Sequence, residues 1–188
     1  MDKREIFKDE LSFVFNKDVK DSLGVMVDMI PDYFFHIPAS STGKYHPTYA
    51  LGDGGLLRHT KVVVRMAHEL FGIYKFPQRT KDLIIMACLL HDTLKKGETE
   101  EKYTRFDHPI LMGKFILDNK DEIGLNLEDA NFMNDVIKTH MVPWTTDYDG
   151  NEVLEKPKTK YQNFVHMCDF PASRKCILVP FEDNNISV

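Results

Sequence analysis

The feature that most constrains the fold is an apolar run of eight residues, 83–90, which leads directly into His91 and Asp92. A helix that is apolar on all sides has no face for water and belongs in the interior. The chain has 188 residues, enough for one sizeable core and too few for two comfortable ones. The sequence therefore predicts a single domain built around this segment, with a histidine and an aspartate at its inner end.

The rest of the chain has helical periodicity, because its apolar residues mostly recur at intervals of three and four. We predict helices over residues 4–15, 21–29, 56–71, 80–94, 108–119, 127–140 and 159–170, the last continuing to about residue 176 with a kink at Pro171. Three prolines and four glycines predict a long ordered loop over residues 31–55. A loop or short hairpin is predicted over 142–158. The predicted fold class is an all-α, single-domain helical bundle.

Composition narrows the function and the location. The chain is 43% hydrophobic and 28% charged, as in ordinary globular proteins, and its net charge of −5 argues against a broad duplex nucleic-acid surface. The start of the chain is charged and lacks an apolar leader, and the longest apolar run is far too short to span a membrane. Cys88 and Cys168 lie in apolar segments and are expected to be core residues in a reducing compartment. We expect a cytoplasmic protein with no membrane segment; a homo-oligomer stays open.

Titratable residues occupy the apolar stripes of four predicted helices. Counting by three or four positions along each stripe leads to His59, His108, His140 and Asp169. A lone histidine on an apolar face is more often a core residue than a ligand. Buried carboxylates, however, need a counter-charge, and these stripes contain almost no Arg or Lys. Imidazole nitrogens and carboxylate oxygens bind divalent metals, so the sequence predicts one metal site from six residues: His59, His91, Asp92, His108, His140 and Asp169.

The order of these residues resembles the HD-domain superfamily of metal-dependent phosphohydrolases. The similarity covers about two thirds of the chain, residues 54–175, through GGLLRHT, LLHDTLKKG, DHPILMG and HMCDFPASRK in the expected order. The resemblance implies that His59, His91, Asp92 and Asp169 are metal ligands. It also matches His108 and His140 to the extra histidines of the subgroup that holds two metals.

Within this superfamily the sequence departs from the cyclic-dinucleotide branch. Met141 follows His140 where that branch has a second histidine, and no GYP element is present. The most similar branch is the HD module of some bacterial 3′-exoribonucleases and of small stand-alone relatives. On this resemblance, residues 54–176 would form the HD phosphohydrolase core, residues 1–53 would belong to the same domain, and residues 177–188 would form a C-terminal tail.

The resemblance implies a phosphohydrolase that cleaves a phosphoester or phosphoanhydride of a nucleotide or short oligonucleotide with a metal-activated water. Asp92 and Lys95 are the predicted catalytic residues: Asp92 would bridge two ions if both are present, and Lys95 would contact the substrate phosphate, where an ammonium stabilises developing charge. The structural alternative is that Lys95 and Lys96 do not bind substrate and are simply cations at a helix C-terminus, where the helix dipole stabilises positive charge. The expected cofactor is a divalent ion (Mn, Fe, Ni, Co, Zn or Mg), with one ion expected and a second left open.

Several residues outside the six are candidates for substrate binding. Lys44 and His46 lie in the loop before the first ligand helix, and Arg174 follows Asp169 by five positions. Trp144 and Tyr148 are candidates to stack on a base. Each has a structural alternative: a locally hydrogen-bonded loop, a surface ion pair or an apolar cap. Two rival functions also stay open, a non-catalytic regulator that binds metal or nucleotide and a bundle with buried polar residues and no ion.

Overall fold

The centre of the molecule is the helix that contains the apolar run. In the computed structural model, which describes residues 1–40, 42–147 and 149–187, the helices are α1 (Lys3–Ile6), α2 (Lys8–Ser12), α3 (Lys17–Met29), α4 (Gly55–Leu70), α5 (Gln78–Leu90), α6 (His108–Asp118), α7 (Lys120–Ile123), α8 (Leu127–Ile137) and α9 (Lys160–Ala172). Helix α5 packs against α3, α4, α8 and α9. Each residue of the apolar run is buried, as expected for a helix without a polar face.

The only strands among the described residues are β1 (Phe181–Glu182) and β2 (Asn185–Ile186), which pair antiparallel with Phe181 opposite Ile186. The prediction of an all-α, single-domain fold is confirmed. Within the described part of the chain, no helix is long and apolar enough to cross a membrane. Cys88 and Cys168 are buried and unbridged, as expected for core residues, whereas Cys176 is exposed.

Two boundaries near the N-terminus differ from the prediction. The single helix predicted over residues 4–15 is divided into α1 and α2 at Phe7, whose φ of −103° and ψ of 18° are not helical. Helix α3 begins at Lys17, four residues before its predicted start. This earlier start is anchored by the buried Asp82, whose Oδ2 accepts hydrogen bonds from both the backbone and the side chain of Asn16, at 2.7 and 2.5 Å.

Three helices end earlier than predicted, and these ends matter for the site. Helix α5 ends at Leu90 rather than residue 94, and α8 ends at Ile137 rather than residue 140. In both places the chain tightens into turns in which an amide donates to the carbonyl three residues before it. Helix α9 ends at Ala172, and the chain continues in turns in which the Arg174 amide donates to the Pro171 carbonyl and the Ile177 amide to the Arg174 carbonyl. Its extension to about residue 176 was wrong.

The predicted loop over residues 31–55 is irregular except for two short 3-10 turns, Asp32–Phe35 and Thr48–Ala50. It is closed by backbone hydrogen bonds from Ala39 to Ala50 and from Leu56 to Ile37, at 3.0 and 2.9 Å. Ser41 in this loop and Tyr148 in the predicted loop over 142–158 lie outside the described residues. An isolated antiparallel bridge between Thr146 and Glu152 gives the second loop the character of a short hairpin.

The predicted C-terminal tail folds back as the β1–β2 hairpin and packs on α4. Arg58 donates to Asn184 Oδ1 at 2.7 Å, and the Lys61 ammonium donates to Asn185 Oδ1 at 2.7 Å. The hairpin was not predicted, because strands of two residues carry no periodicity that a sequence pattern can reveal.

Candidate metal centre

The six residues predicted as metal ligands come from five places in the fold. His59 lies on α4, His108 is the first residue of α6 and Asp169 lies on α9. His91 and Asp92 follow the end of α5, and His140 lies in the turn after α8. All four histidines and Asp92 are at most 3% exposed. The side chain of Asp169 is 15% exposed.

One group of three potential ligands surrounds Asp169. Its Oδ1 lies 3.0 Å from His59 Nε2 and 3.6 Å from His91 Nε2. One ligand atom from each of these three residues lies within 4.8 Å of the other two. This spacing places the three side chains within reach of a single ion.

A second group shares His91 and surrounds Asp92. His91, Asp92 and His140 also offer ligand atoms within 4.8 Å of one another. Asp92 Oδ1 lies 2.8 Å from His108 Nε2 and 3.6 Å from His140 Nε2. The structure therefore brings all six predicted residues into one cluster, arranged as two groups that overlap at His91.

The protonation pattern of three histidines is set by their own backbone. The Nδ1 atoms of His91, His108 and His140 lie 2.8, 2.7 and 2.8 Å from the carbonyl oxygens of Cys88, Arg105 and Ile137, each three residues earlier. A carbonyl oxygen can only accept, so each Nδ1 carries the proton. In the neutral ring Nε2 then carries a lone pair, and all three Nε2 atoms are buried without a hydrogen-bond partner among the described residues.

These lone pairs face carboxylate oxygens. Within the described part of the chain, Asp92 Oδ1 is itself buried without a hydrogen-bond partner, although His108 Nε2 lies only 2.8 Å away. Two acceptors at this distance repel each other unless a cation or a proton lies between them. An orphaned carboxylate oxygen surrounded by imidazole lone pairs is the donor set that a divalent ion requires, so the residues fit such an ion.

Both carboxyl groups are ionised in this setting. Burial by itself would raise the pKa of Asp92, but the Lys95 ammonium and the neighbouring imidazoles hold it well below the usual range. Burial would also raise the pKa of Asp169, but His59 and His91 hold it well below the usual range. The cluster thus contains two buried negative charges, and the Lys95 ammonium by itself does not balance them.

The histidine pKa values respond to the same carboxylates. Burial opposes the charged form of His91, yet Asp92 and Asp169 raise its pKa. Burial dominates at His108, whose pKa is lowered. The two carboxylates therefore favour additional positive charge at the cluster. Protons on the imidazole rings or a metal ion at the Nε2 atoms would supply it.

A cavity of about 220 Å³ opens onto the cluster. Of the predicted substrate-binding residues, His46, Lys95 and Arg174 line it. Lys44 does not line the cavity: its side chain is exposed and its ammonium lies over the Tyr45 ring, 5.2 Å from the centroid. The structure therefore gives no support to the prediction that Lys44 contacts substrate.

Lys95 and Lys96 have different positions. The Lys95 ammonium lies 2.6 Å from Asp92 Oδ2 and lines the cavity. The Lys96 ammonium pairs with Glu100 at 2.8 Å, away from the cavity. Tyr33, which the sequence did not identify, holds the backbone that follows Lys95. Its hydroxyl accepts from the Lys96 amide at 3.1 Å and donates to the Gly97 carbonyl at 2.6 Å.

His46 reaches the cluster from the long loop. Its ring centroid lies 5.8 Å from that of His59, and no residue that the structure describes forms a hydrogen bond with its buried Nδ1. Burial, assisted by His59 and Lys95, lowers the pKa of His46 to about 4. His46 is therefore a neutral imidazole on the cavity wall at physiological pH.

Another part of the cavity wall is aromatic. The guanidinium carbon of Arg174 lies over three rings, 4.6 Å from the Phe170 centroid, 4.9 Å from Trp144 and 5.3 Å from Tyr45. Sequence reasoning identified Arg174 and Trp144 separately but not their contact, because it depends on how two loops meet α9. The prediction that Tyr148 stacks on a base falls outside the described residues.

Two further histidines, His68 and His166, have structural contacts. His166 Nδ1 lies 2.8 Å from the carbonyl oxygen of His140, which helps to hold the His140 turn. His68, expected to face solvent, stacks on Phe13 with a centroid separation of 4.0 Å and stays partly exposed. Neither lies in the cluster.

Compared with protein-family models, with curated proteins and with solved structures, the chain matches none of them.

Proposed function

We propose that the protein is a metal-dependent phosphohydrolase that cleaves a phosphoester or phosphoanhydride of a nucleotide or short oligonucleotide. The observation that supports this proposal most directly is the set of buried, partnerless Nε2 lone pairs of His91, His108 and His140 facing two ionised aspartates. The ordered resemblance of these residues to the HD-domain superfamily adds to it.

The residues divide into two sets of ligands. His59, His91 and Asp169 would hold one ion, and Asp92 with His91 and His140 would hold a second if it binds. His108, whose Nε2 lies 2.8 Å from Asp92 Oδ1, is a further candidate ligand of the second ion. When bound, a divalent ion supplies a water of lowered pKa and a Lewis acid for the phosphoryl group. The backbone carbonyls behind His91, His108 and His140 fix the tautomers and ring orientations that this binding needs.

The protein's own side chains would then handle the substrate. The Lys95 ammonium lies on the cavity wall beside Asp92 and would bind a phosphoryl oxygen, where its charge stabilises the developing negative charge. Neutral His46 can donate or accept a hydrogen bond with the substrate without adding charge to the cavity. The cavity of about 220 Å³ favours one phosphorylated small molecule or a terminal nucleotide over a longer strand.

The test combines metal analysis with a substrate panel. Protein purified without chelators is expected to contain stoichiometric divalent metal and to release phosphate or nucleoside from a nucleotide panel with Mn, Co, Ni or Mg. Asp92→Ala is expected to reduce turnover by at least about a hundredfold, since it removes a carboxylate that faces three imidazoles. His68→Ala changes a partly exposed side chain that stacks on Phe13 outside the cluster. It is the control and should retain activity.

Each alternative outcome selects a different function. Stoichiometric metal without turnover of any nucleotide would indicate a non-catalytic regulator that binds metal or nucleotide. Absence of metal from protein purified in this way would indicate a bundle whose buried polar residues hold no ion. Full activity in Asp92→Ala would contradict the proposed site even if the wild type is active.

A further inference from the structure

We infer that Arg174 is a specificity residue that binds a second anionic group of the substrate, so that the preferred substrates are nucleotides carrying at least two phosphates. The inference rests on the proposed function, and it concerns which nucleotide the cavity accepts. It is derived from the aromatic part of the cavity wall, where a cation lies without an anionic partner among the residues that the structure describes.

The guanidinium of Arg174 is held in place but is not neutralised. Its Nε and Nη2 donate to Ser173 Oγ at 3.1 and 2.7 Å, and Nη1 has no hydrogen-bond partner among the described residues. Across the described part of the chain, no carboxylate lies within 4.0 Å of it. By contrast, Arg105 forms two carboxylate contacts at 2.8 Å.

The three rings around Arg174 determine which part of it can bind a ligand. Tyr45, Trp144 and Phe170 surround the guanidinium, with ring centroids 4.6–5.3 Å from its central carbon. These cation–π contacts and the two hydrogen bonds to Ser173 hold the group in place, and Nη1 is the nitrogen left to donate to a ligand. A guanidinium N–H held in this way binds phosphate or carboxylate oxygens.

Two cationic positions on one cavity wall imply two anionic groups on one ligand. Lys95 beside Asp92 marks the place of the scissile phosphoryl group, and Arg174 lies on the same cavity near the aromatic cluster. A nucleoside monophosphate has only one anionic group and can occupy only one of these positions. A nucleoside diphosphate or a 3′,5′-bisphosphate can occupy both.

The experiment compares adenosine 5′-monophosphate, adenosine 5′-diphosphate and adenosine 3′,5′-bisphosphate as probes. In Arg174→Gln, kcat/KM for at least one of the two doubly phosphorylated probes should fall roughly ten- to a hundredfold, mostly through KM, while the monophosphate changes little. A larger loss for the diphosphate would mean that Arg174 binds the second phosphate of a 5′-diphosphate. A larger loss for the bisphosphate would mean that it binds a phosphate on the 3′ oxygen of the ribose. Arg174→Lys, which keeps the charge but not the planar edge, should lose less.

A matched control separates a specific role of Arg174 from a general effect of losing one positive charge. Lys175→Gln makes the same charge change at the neighbouring exposed residue and should leave all three probes unchanged. Equal losses for all probes in Arg174→Gln would overturn the inference, because they would show that Arg174 only holds the aromatic residues in place. Unchanged kinetics for all probes would overturn it as well.

Binding measured by calorimetry keeps the two proposals distinguishable. If the wild type turns over no nucleotide, the proposed function fails, but tighter binding of the diphosphate or bisphosphate than of the monophosphate, weakened in Arg174→Gln, would still support the anion site. Equal affinities of the wild type and Arg174→Gln for every probe would overturn it.

Discussion

A neutral histidine whose Nδ1 donates to a backbone carbonyl can use Nε2 only as an acceptor or as a metal ligand. His91, His108 and His140 share this arrangement, each with the carbonyl three residues earlier. The local turn therefore determines the chemistry of the ring. The sequence indicated that these rings are buried, but the tautomer depends on backbone angles that residue types alone do not specify.

At the same scale, one hydroxyl organises the segment that carries Lys95. Tyr33 is 7% exposed, and its hydroxyl contacts both the Lys96 amide and the Gly97 carbonyl. Burial raises the pKa of Tyr33 to about 12 from the ordinary 10.0. Between these two pH values the folded state keeps a proton that the unfolded chain has lost, so this residue's contribution to stability falls as the pH rises.

We therefore expect Tyr33→Phe to lower the free energy of unfolding by about 1–3 kcal/mol at pH 8, since the Lys96 amide loses its partner. The difference from wild type should shrink as the pH rises above 10. Urea unfolding at a series of pH values from 8 to 11 measures both effects. Tyr103→Phe, at a side chain that is 72% exposed, is the control. A constant difference across the series would contradict the role assigned to the Tyr33 hydroxyl.

At the scale of the elements, the start of α4 depends on two adjacent glycines. Gly54 has a φ of +68°, in the left-handed region that favours glycine. A Cβ on Gly55 would lie 2.4 Å from the Ala50 carbonyl oxygen and 3.1 Å from Pro38 Cα. Both contacts are with the backbone, so no side-chain rotation can relieve them. The close approach of the loop to α4 places His46 next to His59.

Gly55→Ala is accordingly expected to destabilise the protein by about 1–3 kcal/mol, because the loop must move away from α4. It should also reduce turnover by shifting His46 from the cavity wall. Thermal unfolding and kinetics of the same preparation check the two effects together. Gly72→Ala is the comparison, since its Cβ would meet only one atom, at 3.4 Å, and its stability should stay near that of wild type. Equal stabilities of the two variants would refute this account of the glycine pair.

For the whole molecule, a buried ion pair joins both ends of the chain to α4. Lys61 is 1% exposed, and its ammonium donates to the Ile6 carbonyl at 2.6 Å and to Asn185 Oδ1 at 2.7 Å. Glu10 Oε2 lies 3.6 Å away. Burial lowers the pKa of Lys61 and raises that of Glu10, the directions in which both groups lose charge.

Removing one member of this pair leaves the other buried alone. Lys61→Met should lower the free energy of unfolding by about 3–5 kcal/mol, whereas the double variant Lys61→Met with Glu10→Leu should recover much of the loss. Equilibrium urea unfolding of both variants and of wild type measures the coupling. Additive losses in the double variant would show that the two charges do not interact.

Much of the fold was predictable because its signals are local. Helical periodicity and the apolar run identified the main helices and the buried α5, and the same stripes identified His59, His108, His140 and Asp169 as residues that face the interior. Helix ends were less predictable. The turns after α5 and α8 form where the chain changes direction, and that change is determined by packing rather than by residue type.

What the sequence determined by itself is the helical class and the set of six side chains that must share the interior, since periodicity and the cost of burying charge act within each segment. The tertiary structure alone decided which Nε2 faces which carboxylate oxygen, that Arg174 lies between three rings, and that Lys61 joins the two chain ends. These contacts link residues far apart in the chain, such as Lys61 and Asn185, 124 positions apart. They depend on how the helices pack together, which no local pattern specifies.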